Sequence, residues 1–269
     1  MLENKETILK VQNLSKTFTS GLLFTKEIYA LQDVSFNLQK GEILALVGES
    51  GSGKSTTANI ILRLIIPSQG TVYLHHTDII KYTKKEYYKR VQVVFQDPFA
   101  SYNLFHKVDR TLHMAFKLLD NYPSLEERTK KIKEVFNTIG LRSYELLGRY
   151  PHQLSGGQLQ RMLLARALII NPEVLIADEA TSMIDASSRA GILNLLDMLA
   201  KEQGMGIIFI THDIGQAQYL SDRVVVMEHG RIVEQGDSVK ILICPDKEYT
   251  KALISSVPTM ETRWDFSKN

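Results

Sequence analysis

Gly48-Glu49-Ser50-Gly51-Ser52-Gly53-Lys54-Ser55-Thr56 matches G-x-x-x-x-G-K-[ST], the pattern of a phosphate-binding loop. Ile43-Leu44-Ala45-Leu46-Val47 precedes it as an apolar run of strand length, and Thr57 to Leu62 follows it as a segment able to form a helix. Strand, glycine-rich loop and helix form the context that the motif requires. Glycines let the backbone curl so that successive N–H groups point at one anion, and the helix adds its positive dipole end at the same place. Lys54 is placed to reach the β- and γ-phosphates of a nucleotide, and Ser55 to hold Mg²⁺. A tight strand–helix turn that binds nothing is the bland alternative, and the full pattern in its full context sets it aside.

Outward from this loop the chain reads as an α/β protein. Ile8 to Phe18 alternates loosely, as an edge strand does. Residues 20–27 read as a loop, and Tyr29 to Leu38 as a second strand leading through Gly41 into the strand before the phosphate loop. Pro67-Ser68-Gln69-Gly70 is a turn and Thr71 to Leu74 a short strand, so an antiparallel sheet is expected beside the main parallel one. Val91 to Phe95 is short and rich in valine, hence a buried strand. Residues 107–150 change character: Ile132, Val135, Phe136 and Ile139 recur at helical spacing in a mostly helical insertion. Val174 to Ala177 and Gly206 to Ile210 flank a helix-like stretch at 188–202, the rhythm of a parallel βαβ unit. Val224 to Met227 and Arg231 to Val233 read as a hairpin turning at His229-Gly230.

Composition narrows the class. The 269 residues suit one large domain or two closely joined ones, and 44% hydrophobic with 23% charged residues is ordinary for a globular chain. A net charge of +2 suggests no nucleic-acid partner, and a single cysteine, Cys244, rules out an internal disulfide framework and suits a reducing compartment. Met1 to Lys10 lacks the apolar core of a signal peptide, and no apolar run reaches the ~20 residues that span a bilayer. A cytoplasmic protein able to sit against a membrane is the expectation.

Polar residues gather at strand ends. Asp178-Glu179 closes the strand Val174 to Ala177, where an acid reaches the Mg²⁺ shell beside a phosphate loop. Asp178 is read as orienting the metal through its water, and Glu179 as accepting a proton from the attacking water; helix capping is the plainer reading of the pair. His212 follows Phe209-Ile210-Thr211, where its ring can contact a γ-phosphate, although a strand-end histidine is more often structural. Gln96 follows Val93-Val94-Phe95 in the same way and alone means little. Leu154-Ser155-Gly156-Gly157-Gln158 opens another helix, with Ser155 as N-cap and Asn171-Pro172 as its stop. Its glycines leave N–H groups open to an anion. Two phosphate-type sites thus lie about 100 residues apart, and one nucleotide uses both only if the second comes from another chain.

The order of phosphate loop, Gln96, LSGGQ at 154–158, IADEA at 176–180, Asp185 and His212 resembles that of ATP-binding-cassette (ABC) ATPases over roughly residues 8–235. The resemblance implies a P-loop NTPase (RecA-like) parallel-sheet core with an antiparallel β subdomain and an inserted helical subdomain. It implies an ATPase domain over 1–250, its helical subdomain at about 98–165, and a short C-terminal extension at 251–269. ATP and Mg²⁺ are the implied cofactors. Ser155, Gly156, Gly157 and Gln158 close over the nucleotide of a second subunit, so an aspartate at Gly157 disables the partner's site. Gln96 senses the metal and the membrane partner, Asp185 links the two sites, and His212 is a switch histidine. Phe18, after Leu14-Ser15-Lys16-Thr17, falls where the family places the aromatic that stacks on adenine, with Tyr29 a second candidate.

Val94 to Asn103 and the tail Pro245 to Leu253 are similar to those of peptide and nickel importer ATPases. This implies an importer subunit for peptides, nickel or a metal chelate on the cytoplasmic face of the inner membrane. Its implied partners are a second ATPase, often a different homologous chain but also possible as a homodimer, two membrane-spanning permease subunits and an external substrate-binding protein. Exporter ATPases share all the catalytic residues, but the tail argues against them. Translation-type cassette proteins carry two cassettes, and repair-type ones a long coiled coil for which 107–150 is too short. Leu104 and Ala180 stand where relatives usually have proline, and Met183-Ile184 where Ala-Leu is common; none of these touches a catalytic atom. His75-His76 reads as a solvated turn rather than a metal site, since neighbouring strand residues face opposite ways. Lys81, Lys84, Lys85, Lys89 and Arg90 read as a solvated face, with contact to anionic lipid the sharper alternative.

Overall fold

A computed structural model describes residues 6–20 and 26–256. Thr7–Ser20 (β1) and Lys26–Gln39 (β2) form a long antiparallel ribbon, and Ile43–Val47 (β3) leads through the phosphate loop into Lys54–Ile61 (α1). Gln69–Leu74 (β4) and Thr77–Asp78 (β5) return to the ribbon, and Lys84–Arg90 (α2) runs into Val91–Val94 (β6). Three helices follow: Asp109–Ala115 (α3), Leu125–Thr138 (α4) and Ser143–Leu146 (α5). Gly156–Leu168 (α6), Val174–Asp178 (β7), Ala186–Gln203 (α7), Gly206–Ile210 (β8) and Ile214–Leu220 (α8) complete the alternating unit. The chain continues with the hairpin Arg223–Glu228 (β9) and Arg231–Asp237 (β10), then Ser238–Ile243 (α9) and Glu248–Ser255 (α10).

The strands form two sheets, ordered β2-β1-β4-β5 and β10-β9-β3-β8-β7-β6. In the second, β9, β3, β8, β7 and β6 run parallel and β10 is antiparallel. Every residue of β3 and β8 is buried, as continuous apolar strands covered on both faces should be. Alternate residues serve different layers. Leu44, Leu46, Ile176, Ile208 and Ile210 pack with α1 and the antiparallel sheet. Leu175, Ala177, Ile207 and Phe209 face the helical side, where α6 supplies Leu159, Met162 and Leu163. Ile132, Val135 and Phe136 of α4 join that same cluster, so the helical insertion and the sheet share one core. Its start is sharp because Ser124 and Glu127 form a capping box.

The expected edge strand at Ile8–Phe18 is instead internal: β1 pairs with β2 on one side and with β4 on the other. Loose alternation reports which face is buried and carries no information on how many neighbours a strand has. Ser20, Lys26 and Glu27, expected in a loop, lie in paired strands, and residues 21–25 fall outside the described part. The hairpin turn is as read, with φ of +47° at His229 and +79° at Gly230. His75-His76 is a turn, with φ of +45° and +62°. The solvated reading holds for His76 only: His75 is half-buried, its Nε2 against the Glu173 carboxylate and its Nδ1 3.6 Å from Glu6. No group of three or more His, Cys, Asp or Glu able to hold a metal occurs among the described residues. The basic run is partly neutralised, since Lys85 and Lys89 pair with Asp120 at 3.4 and 3.0 Å and Arg90 with Glu173 at 2.6 Å. No helix among the described residues is long and apolar enough to cross a membrane.

Candidate nucleotide site

β3 ends in the middle of the parallel sheet, between β9 and β8, and the phosphate loop leaves from that end. A loop must curl tightly there, and the packing shows why glycine is required. A Cβ on Gly48, at φ +147°, would sit 2.2 Å from the Met227 carbonyl of β9. Gly53, at φ +107°, precedes α1 without a side-chain cap, which leaves the first-turn N–H groups to an outside acceptor. The β9–β10 turn supports the loop from below, where Gly230 N–H donates to the Ser52 carbonyl at 3.0 Å.

Lys54 lies inside this curl. Its Nζ donates to the carbonyls of Gly48 and Glu49, both at 2.7 Å, and to Ser52 Oγ at 3.2 Å, which uses all three ammonium protons. Burial lowers its pKa, with Glu179, Asp178 and Glu49 acting in the opposite sense. Asp178, at the end of β7, is pushed up to about 6 by burial and by the neighbouring Glu179, against the pull of Lys54. Opposite charges in reach of each other should move both groups the other way. Burial dominates both, so the pair is short of water, and with Glu179 beside it the cluster sets two carboxylates against one ammonium.

Glu179 turns out of the strand at φ +47°, with its N–H bonded to the Ile210 carbonyl of β8 at 2.9 Å. This turn carries its carboxylate between two groups from other strand ends. Gln96 Nε2 donates to its Oε2 at 2.8 Å, and His212 Nδ1 lies 3.2 Å from its Oε1. Three residues that the sequence places at the ends of β6, β7 and β8 therefore meet at one carboxylate. A cavity of about 130 Å³ opens beside Glu179 and His212, walled by Thr181, Ser182, Arg189 and Gln216. The larger cavity over the antiparallel sheet, about 740 Å³ and bordered by Lys10, Phe36 and Arg223, includes none of these residues. Ser50, Gly51 and Ser55 are exposed at the loop surface, and Thr56 is half-buried.

Phe18 and Tyr29 sit on the β1–β2 ribbon, 37% and 57% exposed. Phe18 pairs with Ile28 and Tyr29 with Thr17, so the two rings leave opposite faces and only one can meet a given ligand. The Tyr29 hydroxyl donates to Glu27 at 2.6 Å, whereas Phe18 presents a bare ring with Lys16 Nζ 5.0 Å from its centroid.

The Ser155–Gln158 stretch lies elsewhere in the fold. Ser155 Oγ accepts from Gln158 N–H at 3.2 Å and Gln158 Oε1 from Ser155 N–H at 2.9 Å, a capping box that starts α6 at Gly156. The atoms nearest to Gly156 and Gly157 belong to Phe99, Met183, Ile184, Asp185 and Ser188, not to the phosphate loop. Asp185 in turn caps α7 by accepting from Ser188 N–H at 2.9 Å.

Sequence reading missed the supports behind these groups. Gln160 Nε2 donates to the Phe95 carbonyl at 3.1 Å and Arg166 to the Val93 carbonyl at 2.7 Å, so α6 fixes the strand end that carries Gln96. A buried glutamine on the apolar face of α6 was the available signal. Thr181 donates to Gln216 at 2.5 Å, and Gln216 to Asp213 at 2.8 Å, which braces the turn after His212. No local pattern announces that network.

Comparison with known proteins agrees with this geometry. A family profile described as ABC transporter matches residues 31–182. The oligopeptide transport ATP-binding protein AppF of Bacillus subtilis is 40% identical over 268 residues, 97% of this chain and 81% of that protein. OppF of Streptococcus mutans, another oligopeptide transport ATP-binding protein, is 39% identical over 96% of this chain and 84% of its own length. The dipeptide transport ATP-binding protein DppF of Haemophilus influenzae is 39% identical over 88% of this chain and 74% of its own. Among solved structures, a dimeric post-hydrolysis ATP-binding cassette, MJ0796 bound to ADP and Pi, superposes with a TM-score of 0.77 at 31% identity. That match covers 86% of this chain and 99% of the other. The cassette cbiO1 of Clostridium perfringens gives 0.76 at 29% identity, over 89% and 92%.

Proposed function

The chain belongs to the ABC transporter ATPase family, and we propose that it is the ATP-hydrolysing subunit of an importer of peptides. The observation that carries the reading is the meeting of Gln96 and His212 at the Glu179 carboxylate, beside Lys54 and the phosphate loop. Among the cargoes that the sequence leaves open, the relatives named for oligopeptide and dipeptide transport favour peptides over nickel or a metal chelate.

Each residue has a task in this reading. Main-chain N–H groups from Ser50 to Thr56 and the α1 dipole bind the phosphates. Lys54 exchanges the carbonyls of Gly48 and Glu49 for the β- and γ-phosphates. Glu179 accepts the proton of the attacking water and aims it, held in place by Gln96 and His212. Phe18 stacks on the adenine. Ser55, Asp178 and Gln96 are hard oxygen donors that fit Mg²⁺, and a buried carboxylate with surplus negative charge around it is a place for a cation. When bound, the ion neutralises charge on the β- and γ-phosphates.

Ser155 to Gln158, remote from this chain's own loop, serve the nucleotide of a second cassette subunit, either a homologous chain or another copy, and Asp185 beside them links the two sites. The dimeric cassette among the structural neighbours supports the pairing. Closure of the pair on two ATP molecules drives two permease subunits, to which an external binding protein delivers substrate, and the chain sits peripherally on the cytoplasmic face of the inner membrane. No nucleic acid takes part. The cassette occupies residues 1–250, with its helical subdomain at about 98–165, and 251–269 form a short extension whose Leu253 packs on the cassette core.

Glu179→Gln tests the assignment. The amide keeps the shape and cannot take the proton, so ATP binding should persist while turnover in the assembled transporter falls at least a hundredfold. Hydrolysis near the wild-type rate would assign the base elsewhere. Purification of the complex from membranes, with the permease chains identified by mass spectrometry, tests the transport role.

A further inference from the structure

Pro245 to Leu253, similar to the tail of peptide importer ATPases, has no task in the mechanism above, yet its helix begins beside the phosphate loop. Two observations locate α10. Its start is pinned by β10: the N–H groups of Asp246 and Lys247 donate to the two carboxylate oxygens of Glu234, at 3.0 and 3.4 Å. Its inner face joins the sheet, where Leu253 shares a cluster with Ala45 and Val47 of β3 and Val224 and Val226 of β9. Tyr249 packs at the margin of that cluster. Its hydroxyl accepts a hydrogen bond from the Glu49 N–H at 3.2 Å.

Glu49 is the second residue of the phosphate loop, and both of its backbone groups are held. Its N–H goes to Tyr249, and its carbonyl accepts from Lys54 Nζ and, at 3.2 Å, from the Ser52 N–H within the loop. These holds differ in kind. The ammonium is the group that the nucleotide recruits, so the Gly48 and Glu49 carbonyls give up that donor when ATP binds. The phenol stands on the sheet through α10 and touches no phosphate-binding group of the loop's inner side. The phenol oxygen accepts through its lone pairs, and burial pushes its pKa up.

We propose that Tyr249 is a positioning residue for ATP binding: through it, α10 braces the outer side of the phosphate loop in the conformation that the nucleotide needs. The inference rests on the reading of residues 48–56 as the ATP site. Because Tyr249 meets no reacting atom, its loss acts on affinity and leaves the chemical step alone.

The experiment uses the full chain, a fluorescent ATP analogue, and Y249F, which keeps the ring and removes the acceptor. The expected result is binding about fivefold weaker, the factor that one ordinary net hydrogen bond is worth. In the assembled complex KM for ATP rises by a similar factor with kcat unchanged. Amide exchange in a peptide covering 48–52 quickens. E234Q, which weakens the anchor of α10 and touches neither Tyr249 nor the loop, shifts affinity the same way by a smaller factor. Wild-type affinity and exchange in Y249F would overturn the proposal, as would a loss of kcat at unchanged KM. A wild-type chain that fails to bind the analogue would overturn the nucleotide reading itself, an outcome distinct from the first.

Discussion

Asp178 shows how burial at one residue becomes a pH-dependent property. Its folded pKa of about 6 lies above that of an unfolded aspartate, so the folded state holds the proton more tightly. That preference favours folding at pH below ~4 and is lost as pH rises through about 6, leaving a half-buried carboxylate that costs stability at pH 8. Asp178→Asn should therefore stabilise the nucleotide-free chain at pH 8 by about 1–2 kcal/mol and much less at pH 4.5. Urea denaturation at the two pH values checks this, and an equal effect at both would remove Asp178 as the titrating group. The same substitution should weaken the Mg²⁺ dependence of ATP binding, since an amide replaces a charged oxygen donor. Lys54→Ala removes the charge proposed to face the phosphates, and equilibrium binding of a fluorescent ATP analogue should fall below detection at micromolar chain.

Helix α6 carries two duties along its length. Its first turn is closed at Ser155 and Gln158 by the capping box, which leaves the Gly156 and Gly157 N–H groups as its uncapped donors, and its middle fixes the end of β6 through Gln160 and Arg166. Ser155→Ala removes an N-cap and should lower stability by about 1 kcal/mol, a shift in Tm of roughly 2–4 °C by calorimetry. Gln160→Leu leaves the Phe95 carbonyl without its donor at a cost of about 1–3 kcal/mol, and it frees the segment that presents Gln96. Hydrolysis in the complex should slow more than ATP binding weakens, because Gln96 touches Glu179, the carboxylate proposed as the base. Equal losses in binding and hydrolysis would show that α6 supports the core alone. The heptad-like apolar face of α6 was legible in the sequence. The carbonyls that Gln160 and Arg166 hold were not, because they lie 65 and 73 positions away along the chain.

In the proposed mechanism the α6 terminus serves the nucleotide of a second cassette, and Gly157→Asp tests that arrangement. In that arrangement a carboxylate at 157 would oppose the partner's γ-phosphate, and like charges at a partly dry interface cost several kcal/mol. The isolated variant should bind ATP with near wild-type affinity, and the pair should hydrolyse poorly. The added Cβ also comes within 2.8 Å of Ser188 Oγ, so part of the loss arises inside the chain, at the start of α7. Gly157→Ala, which has the crowding and no charge, separates the two and should retain most of the hydrolysis. A collapse of ATP binding in the isolated Gly157→Asp chain would mean that the stretch acts on its own nucleotide. Local patterns were enough to write down the phosphate loop, the parallel alternation around it, the amphipathic α4 and the polar residues at strand ends. Each of those depends on neighbours within a few positions, on strand period, helix period or backbone freedom at glycine. The second neighbour of β1, the meeting of Gln96 and His212 on Glu179, the excess negative charge at Asp178 and the contact of Tyr249 with Glu49 came from the fold. They are pairings between segments remote in sequence, decided by strand order and by which side chains the shared core leaves without water.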